Sequence, residues 1–123
     1  MSSEEDWEQE VLEAQLAMNR NSFSELQQHG VTELTELRLD FLYLAPDERS
    51  ARALAAVLQD ETEYEVDVEA TGGGMLKKKT WTVNGTTHPT VVSQEILDEW
   101  VAWMVMVGLE NGCEFDGWGA QVT

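Results

Sequence analysis

The sequence predicts an α+β sandwich: a four-stranded antiparallel sheet, two helices on one face, and an extra helix at the N-terminus. Three observations predict it. ELRLDFLYL and YEVDVEA alternate apolar and polar residues, as strands with one buried side do. Two further segments carry apolar residues at helical spacing between such strands. Glycine and proline signals then divide the chain so that one hairpin and two helical crossovers join four strands.

In chain order, residues 4–18 read as an amphipathic helix, with Trp7, Val11, Ala14 and Met18 at helical spacing and Leu12 and Leu16 widening the stripe. Glu4, Glu5 and Asp6 sit where the helix dipole favours anions. Asn19 to Thr32 is polar and contains Gly30, a connector or a helical continuation through Phe23 and Leu26. Glu36 to Leu44 is the first strand, with Leu37, Leu39, Phe41 and Tyr43 inward and Glu36, Arg38 and Asp40 outward. Pro46 suits a first helical position, and Ala51, Leu54, Ala55 and Leu58 form the stripe that follows.

Tyr64 to Ala70 is the second strand, with Glu65, Asp67 and Glu69 outward, and Gly72-Gly73-Gly74 the connection after it. Thr80 to Val83 is the third, and Asn84-Gly85 and His88-Pro89 read as turns. Ser93 caps a helix to about Glu110, whose core stripe reads Ile96, Leu97, Trp100, Trp103, Met104 and Val107. Val105, Met106 and Leu109 lie on its other side, so the N-terminal helix, or a second copy of the chain, should cover it. Glu114 to Val122 is the final strand.

This β-α-β-β-α-β order is the ferredoxin-like split arrangement. Its first and third strands are central, its second and fourth are edges, and one sheet face stays open. Residues 1–32 form a helical arm packed on a domain of residues 33–123.

At 123 residues the chain is one domain, and its five tryptophans exclude a disordered acidic tail. Cys113 is alone, which points to a reducing compartment and a buried thiol. No signal-peptide pattern opens the chain, and Val101 to Leu109 is shorter than the roughly 20 residues a membrane span needs. A cytoplasmic protein is expected.

Charge is the strongest compositional signal: 24 Asp plus Glu against 7 Lys plus Arg, a net −17. Direct nucleic-acid binding is disfavoured, since its affinity comes from Lys and Arg neutralising phosphates. Anionic membrane is disfavoured for the same reason. Basic proteins are the natural partners, steered by a field that salt weakens.

No enzyme is expected. His29 and His88 lack a nucleophile nearby in the pattern, and one Cys with two distant His does not make a zinc site. Gly72-Gly73-Gly74 with Lys77, Lys78 and Lys79 lacks the spacing and following helix of a phosphate loop. No cofactor is implied.

The outward strand residues Glu36, Asp40, Glu65, Asp67, Glu69, Glu114 and Asp116 would share the open face, opposed mainly by Arg38. Such a set reads either as a solvated face or as a docking surface for a cationic segment. In the run EFDGWG, strict alternation turns Asp116 and Trp118 outward, making Trp118 a contact anchor. A bulge at one of the glycines would instead send Trp118 into the core. Both readings stay open here.

CEFDGWGAQV resembles the closing signature of the ribonuclease E inhibitor B type, the regulator of ribonuclease activity B family. The resemblance extends from about Leu37 to Gln121, through LYLAPDE before a helix, Tyr64-Glu65-Val66 at a strand start and Glu95-Ile96-Leu97-Asp98 in the last helix. It implies a ferredoxin-like domain with no chemistry of its own, acting by protein–protein contact on an RNA-processing enzyme. The best-known member binds the ribonuclease E endonuclease, lowers its activity on RNA and changes which proteins assemble on its scaffold. A basic segment of a ribonuclease E scaffold is therefore the candidate partner, and Glu114, Phe115, Asp116, Gly117, Trp118 and Gly119 are the shared element. The sequence departs in one respect: the best-known member's long acidic tail has no counterpart after Thr123. The residues expected to bind protein are Asp40, Glu65, Asp67, Glu69, Glu114, Asp116 and Trp118. The alternative is a self-associating or small-ligand-binding ferredoxin-like module, and oligomeric state is open.

Overall fold

The computed structural model describes residues 3–32, 34–71 and 80–122, with side chains from Gln9 to Gln121 within those ranges. The expected triple-glycine connection, Lys77 to Lys79 and the Trp7 side chain lie outside the described residues. The elements run α1 (Ser3–Gln28), β1 (Glu36–Ala45), α2 (Glu48–Glu61), β2 (Glu65–Thr71), β3 (Thr80–Thr86), β4 (Thr90–Val91), α3 (Gln94–Glu110) and β5 (Glu114–Val122).

The expected architecture holds. β1 is central: β3 pairs with its Asp40–Ala45 half and β5 runs along Leu37 to Leu44. β2 lies outside β3, so β2 and β5 are the two edges, and every pairing is antiparallel. The short strand β4, opposite Glu36 and Leu37, is an addition to the expected four.

β3 reaches Thr86, so Asn84-Gly85 belongs to a strand and not to a turn. Packing decides this. A Cβ on Gly85 would overlap the Glu65 carbonyl oxygen and approach Phe41 Cζ to 2.7 Å. The break falls instead between β3 and β4, where buried Thr87 continues the ladder. Its N–H donates to Leu39 O (2.9 Å), and its Oγ1 accepts from Leu39 N (3.0 Å).

α2 starts two residues later than Pro46 would place it. Asp47 is the N-cap and accepts from Ser50 N at 2.7 Å, so Pro46 precedes the cap. Its buried stripe is Ala51, Leu54, Ala55 and Leu58, as expected.

α3 is capped by Ser93, which accepts from Ile96 N. Its buried residues are Leu97, Val101, Met104, Val105, Val107 and Gly108, whereas Ile96 is half exposed. The stripe is rotated from the expected one toward Val101, Val105 and Gly108, while α3 packs against both β5 and α1, the double cover expected.

α1 is one continuous helix to Gln28, ended at Gly30 with φ 96°. Against α3 and the sheet it buries Asn19 and Phe23 and half-buries Val11, Leu12, Gln15, Leu16 and Leu26, Gln15 Nε2 donating to Phe115 O of β5 at 3.2 Å. Ala14 and Met18, expected in its stripe, are exposed. The stripe follows the second half of the helix, where Phe23 joins Leu37, Leu39, Val92 and Leu97. Burying one phenylalanine contributes about 2–3 kcal/mol.

Candidate functional site

The open face is built by the alternation of three strands. On β1 every second residue from Leu37 to Ala45 is buried, which turns Glu36, Arg38, Asp40, Leu42 and Leu44 outward. On β2 Glu65, Asp67 and Glu69 are exposed, alternating with half-buried Val66 and Val68, and Ala70, expected on the apolar side, is exposed with Thr71 at the strand's end. Glu114 and Asp116 are exposed on β5.

The register separates these carboxylates into two edges. Glu65, Asp67 and Glu69 sit beside Thr86, Asn84 and Thr82 of β3, a neutral polar band. β1 and then β5 lie beyond, so the β2 carboxylates stand about 10 Å from Asp40 and about 15 Å from the β5 group at ordinary strand spacing. Between them Leu42 and Leu44 add an apolar strip, Leu44 being 44% exposed. The parity of ELRLDFLYL already carried that strip, since its apolar residues occupy both faces from Phe41 onward.

Asp40 is held in place by its neighbours. Thr86 Oγ1 donates to its Oδ1 at 2.8 Å, and Gln121 Nε2 donates to its Oδ2 at 2.7 Å. Both partners are neutral, so they orient the carboxylate and leave its charge intact. Sequence reasoning missed Thr86 and Gln121, which are 35 residues apart in the chain and meet only through β1.

Trp118 is not on this face. Phe115 pairs with Tyr43 and Gly117 with Leu42, which leaves Asp116 as an extra residue on β5. This bulge shifts the alternation by one, so Trp118 pairs with inward Phe41 and packs, half-buried, against both core clusters. Gly117 makes the bulge possible, at φ 146°, a conformation that side chains resist. The strict-alternation reading, with Trp118 outward as a contact anchor, is corrected. Phe115 is buried and stacks edge-on with Tyr43 at 5.2 Å and Trp100 at 6.3 Å.

The other titratable groups of interest belong to the core. Burial pushes the Cys113 thiol up to about 11, Asp47 adding to it, so the sulfur is a thiol at neutral pH. Burial also raises the Tyr43 hydroxyl, which donates to Met104 O at 2.6 Å. Tyr64 is raised by burial, opposed by the Trp100 indole N–H that donates to it. Among the described residues no group of three or more His, Cys, Asp or Glu is placed to hold a metal ion. Within the same residues no helix is long and apolar enough to cross a membrane.

The family model described as regulator of ribonuclease activity B matches residues 16–120. The chain belongs to that family. The match begins within α1 and ends on β5, so it takes in the Asn19–Phe23 seam, the whole β1–α3 unit and the bulged signature. Membership in the regulator of ribonuclease activity B family makes the role regulatory, with ribonuclease proteins as the partner class. No curated protein matches the chain.

Proposed function

We propose that the chain modulates RNA decay by docking a basic segment of an RNA-processing enzyme, of the ribonuclease E scaffold kind, on its open sheet face. One observation carries the reading. Among the described residues, Glu65, Asp67, Glu69, Glu114 and Asp116 are exposed and Asp40 half-buried on strands whose inward residues pack on the core, with Arg38 the one basic residue among the described positions of those strands. A net charge of −17 adds long-range attraction for a cationic segment. A segment seated there is unavailable to RNA, which gives inhibition without chemistry. Pairing two copies through this face would set the same carboxylates against each other, so the self-association alternative has no support from it.

Capture of a ribonuclease E scaffold fragment tests the docking. At about 50 mM salt the wild-type chain retains the fragment, and at about 0.5 M it releases it, because screening then acts within a few ångströms. The triple variant Glu65→Gln, Asp67→Asn, Glu69→Gln loses at least about tenfold in affinity at low salt. Retention indifferent to both salt and substitution would refute the electrostatic docking.

A further inference from the structure

The bulge in β5 also shapes the sheet beside it. A shallow, open depression of about 310 Å³ is lined by Asp40, Phe41, Leu42, Asp116, Gly117 and Trp118. Asp40 and Leu42 belong to the outward set of β1, and Asp116 and Gly117 are the bulge residues opposite Leu42. The depression thus lies where Asp40 and Asp116 flank Leu42 and the Gly117 backbone.

The two glycines of the run differ in what requires them. Gly117 has φ 146°, which demands glycine. Gly119 has no positive φ, and a Cβ built on it meets nothing within 4 Å. Glycine weakens a strand, so nothing inside the fold accounts for it at 119. Both glycines pair with outward residues, Gly117 with Leu42 and Gly119 with Asp40. Together they keep a side-chain-free lane along β5 next to the Asp40 carboxylate.

That carboxylate is preorganised. Its two neutral donors fix its direction, and each oxygen keeps capacity to accept another bond. The Asp116 side chain is exposed and makes no hydrogen bond or ion pair among the described residues.

We propose that this notch seats one arginine side chain of the docked basic segment, with its stem along Leu42 and the glycine lane and its guanidinium between Asp40 and Asp116. The inference rests on the docking reading above and adds to it the residue type and the place. Arginine fits better than lysine for two reasons. Its planar, weakly hydrated head lies flat on bare backbone and apolar surface, and its fork of donors serves two carboxylates at once. A lysine ammonium is a compact, strongly hydrated charge that gains less from such a floor.

The probes are a nona-arginine and a nona-lysine peptide, titrated at low salt into the ¹⁵N-labelled full chain. The arginine peptide should shift the Gly117 and Gly119 amide signals and bind more tightly than the lysine peptide. Gly119→Val fills the lane without changing charge, and valine suits a strand. It should weaken the arginine peptide about tenfold while thermal stability stays equal or rises. Asp116→Asn should do the same, whereas Glu99→Gln, an equal loss of charge on an exposed site of α3, should change affinity less than about twofold. Wild-type affinity in Gly119→Val, or equal binding of the two peptides, overturns the notch and leaves docking on the acidic face standing. No binding of either peptide at low salt overturns the docking itself, and the notch with it.

Discussion

Gly108 sits on α3 where the Tyr43 ring crosses the helix. A Cβ there would come within 2.6 Å of Tyr43 Cε1, 3.0 Å of its Cδ1 and 3.1 Å of the Cys113 carbonyl oxygen. The ring has nowhere to retreat, because its hydroxyl donates to Met104 O and its face meets Phe115. Alanine would gain about 1 kcal/mol of helix propensity but cost about 1–3 kcal/mol in overpacking. With both rigid ends fixed, the upper part of that range applies. Gly108→Ala should therefore lower unfolding free energy by about 1–2 kcal/mol in urea titration; a variant more stable than wild type would contradict the packing. Gly85 and Gly117 are constrained in the same local way, one by a close approach and one by φ. The bulge at Gly117 was one of two readings the sequence left open, whereas the needs at Gly108 and Gly85 were not legible from it. Asn84-Gly85 looked like a turn because the residue pair is the same, and only the partner strand β2 shows why the glycine is there.

At the scale of elements, the seam between α1 and α3 carries an unusual polar contact. Asn19 is fully buried, and its Nδ2 donates to Asp98 Oδ1 at 2.7 Å, an oxygen that also accepts from Gln94 Nε2 at 2.8 Å. Its own Oδ1 has no partner. The contact fixes how α1 lies on α3 more than it strengthens the packing, which rests on Phe23. Asn19→Asp would place a second carboxylate against Asp98 with no cation to pair it. It should destabilise the chain by about 3 kcal/mol. Hydrogen exchange would show the loss first in the amides of α1, and unchanged protection there would mean that the seam is not fixed by this contact. From the sequence, α1 was legible as a helix and as the cover for α3. Its buried side was legible in part: Val11, Leu12, Leu16, Phe23 and Leu26 pack inward, while Ala14 and Met18 continue the apolar spacing but are exposed, and the buried asparagine between them and Phe23 gave no signal.

Across the whole molecule, the net charge of −17 acts on folding and on binding with opposite signs. Folding brings the carboxylates together, so their repulsion opposes the compact state. Raising salt from about 20 to about 300 mM should lift the thermal midpoint by about 4 °C, the shift that roughly 1 kcal/mol produces in a domain of this size. The same change should weaken capture of a basic fragment. Both effects read out the same field, so a midpoint indifferent to salt would show that the carboxylates are too far apart to repel, as well as too dilute to steer. The two-edge arrangement of the face bears on this: Glu65, Asp67 and Glu69 are near neighbours along β2, while Glu114 and Asp116 stand across the sheet.

The alternation of β1 and β2, the cap of α3 and the β-α-β-β-α-β order determined the sandwich, its open face and the sign of its charge. Each of those follows from side-chain period and composition, which are local properties of the chain. The resemblance carried by EFDGWG also named the family. Only the tertiary structure decided that Trp118 turns inward, that Asp40 is held by Thr86 and Gln121, and that the carboxylates form two edges. These depend on strand register, and one extra residue at Asp116 reverses every side chain that follows it.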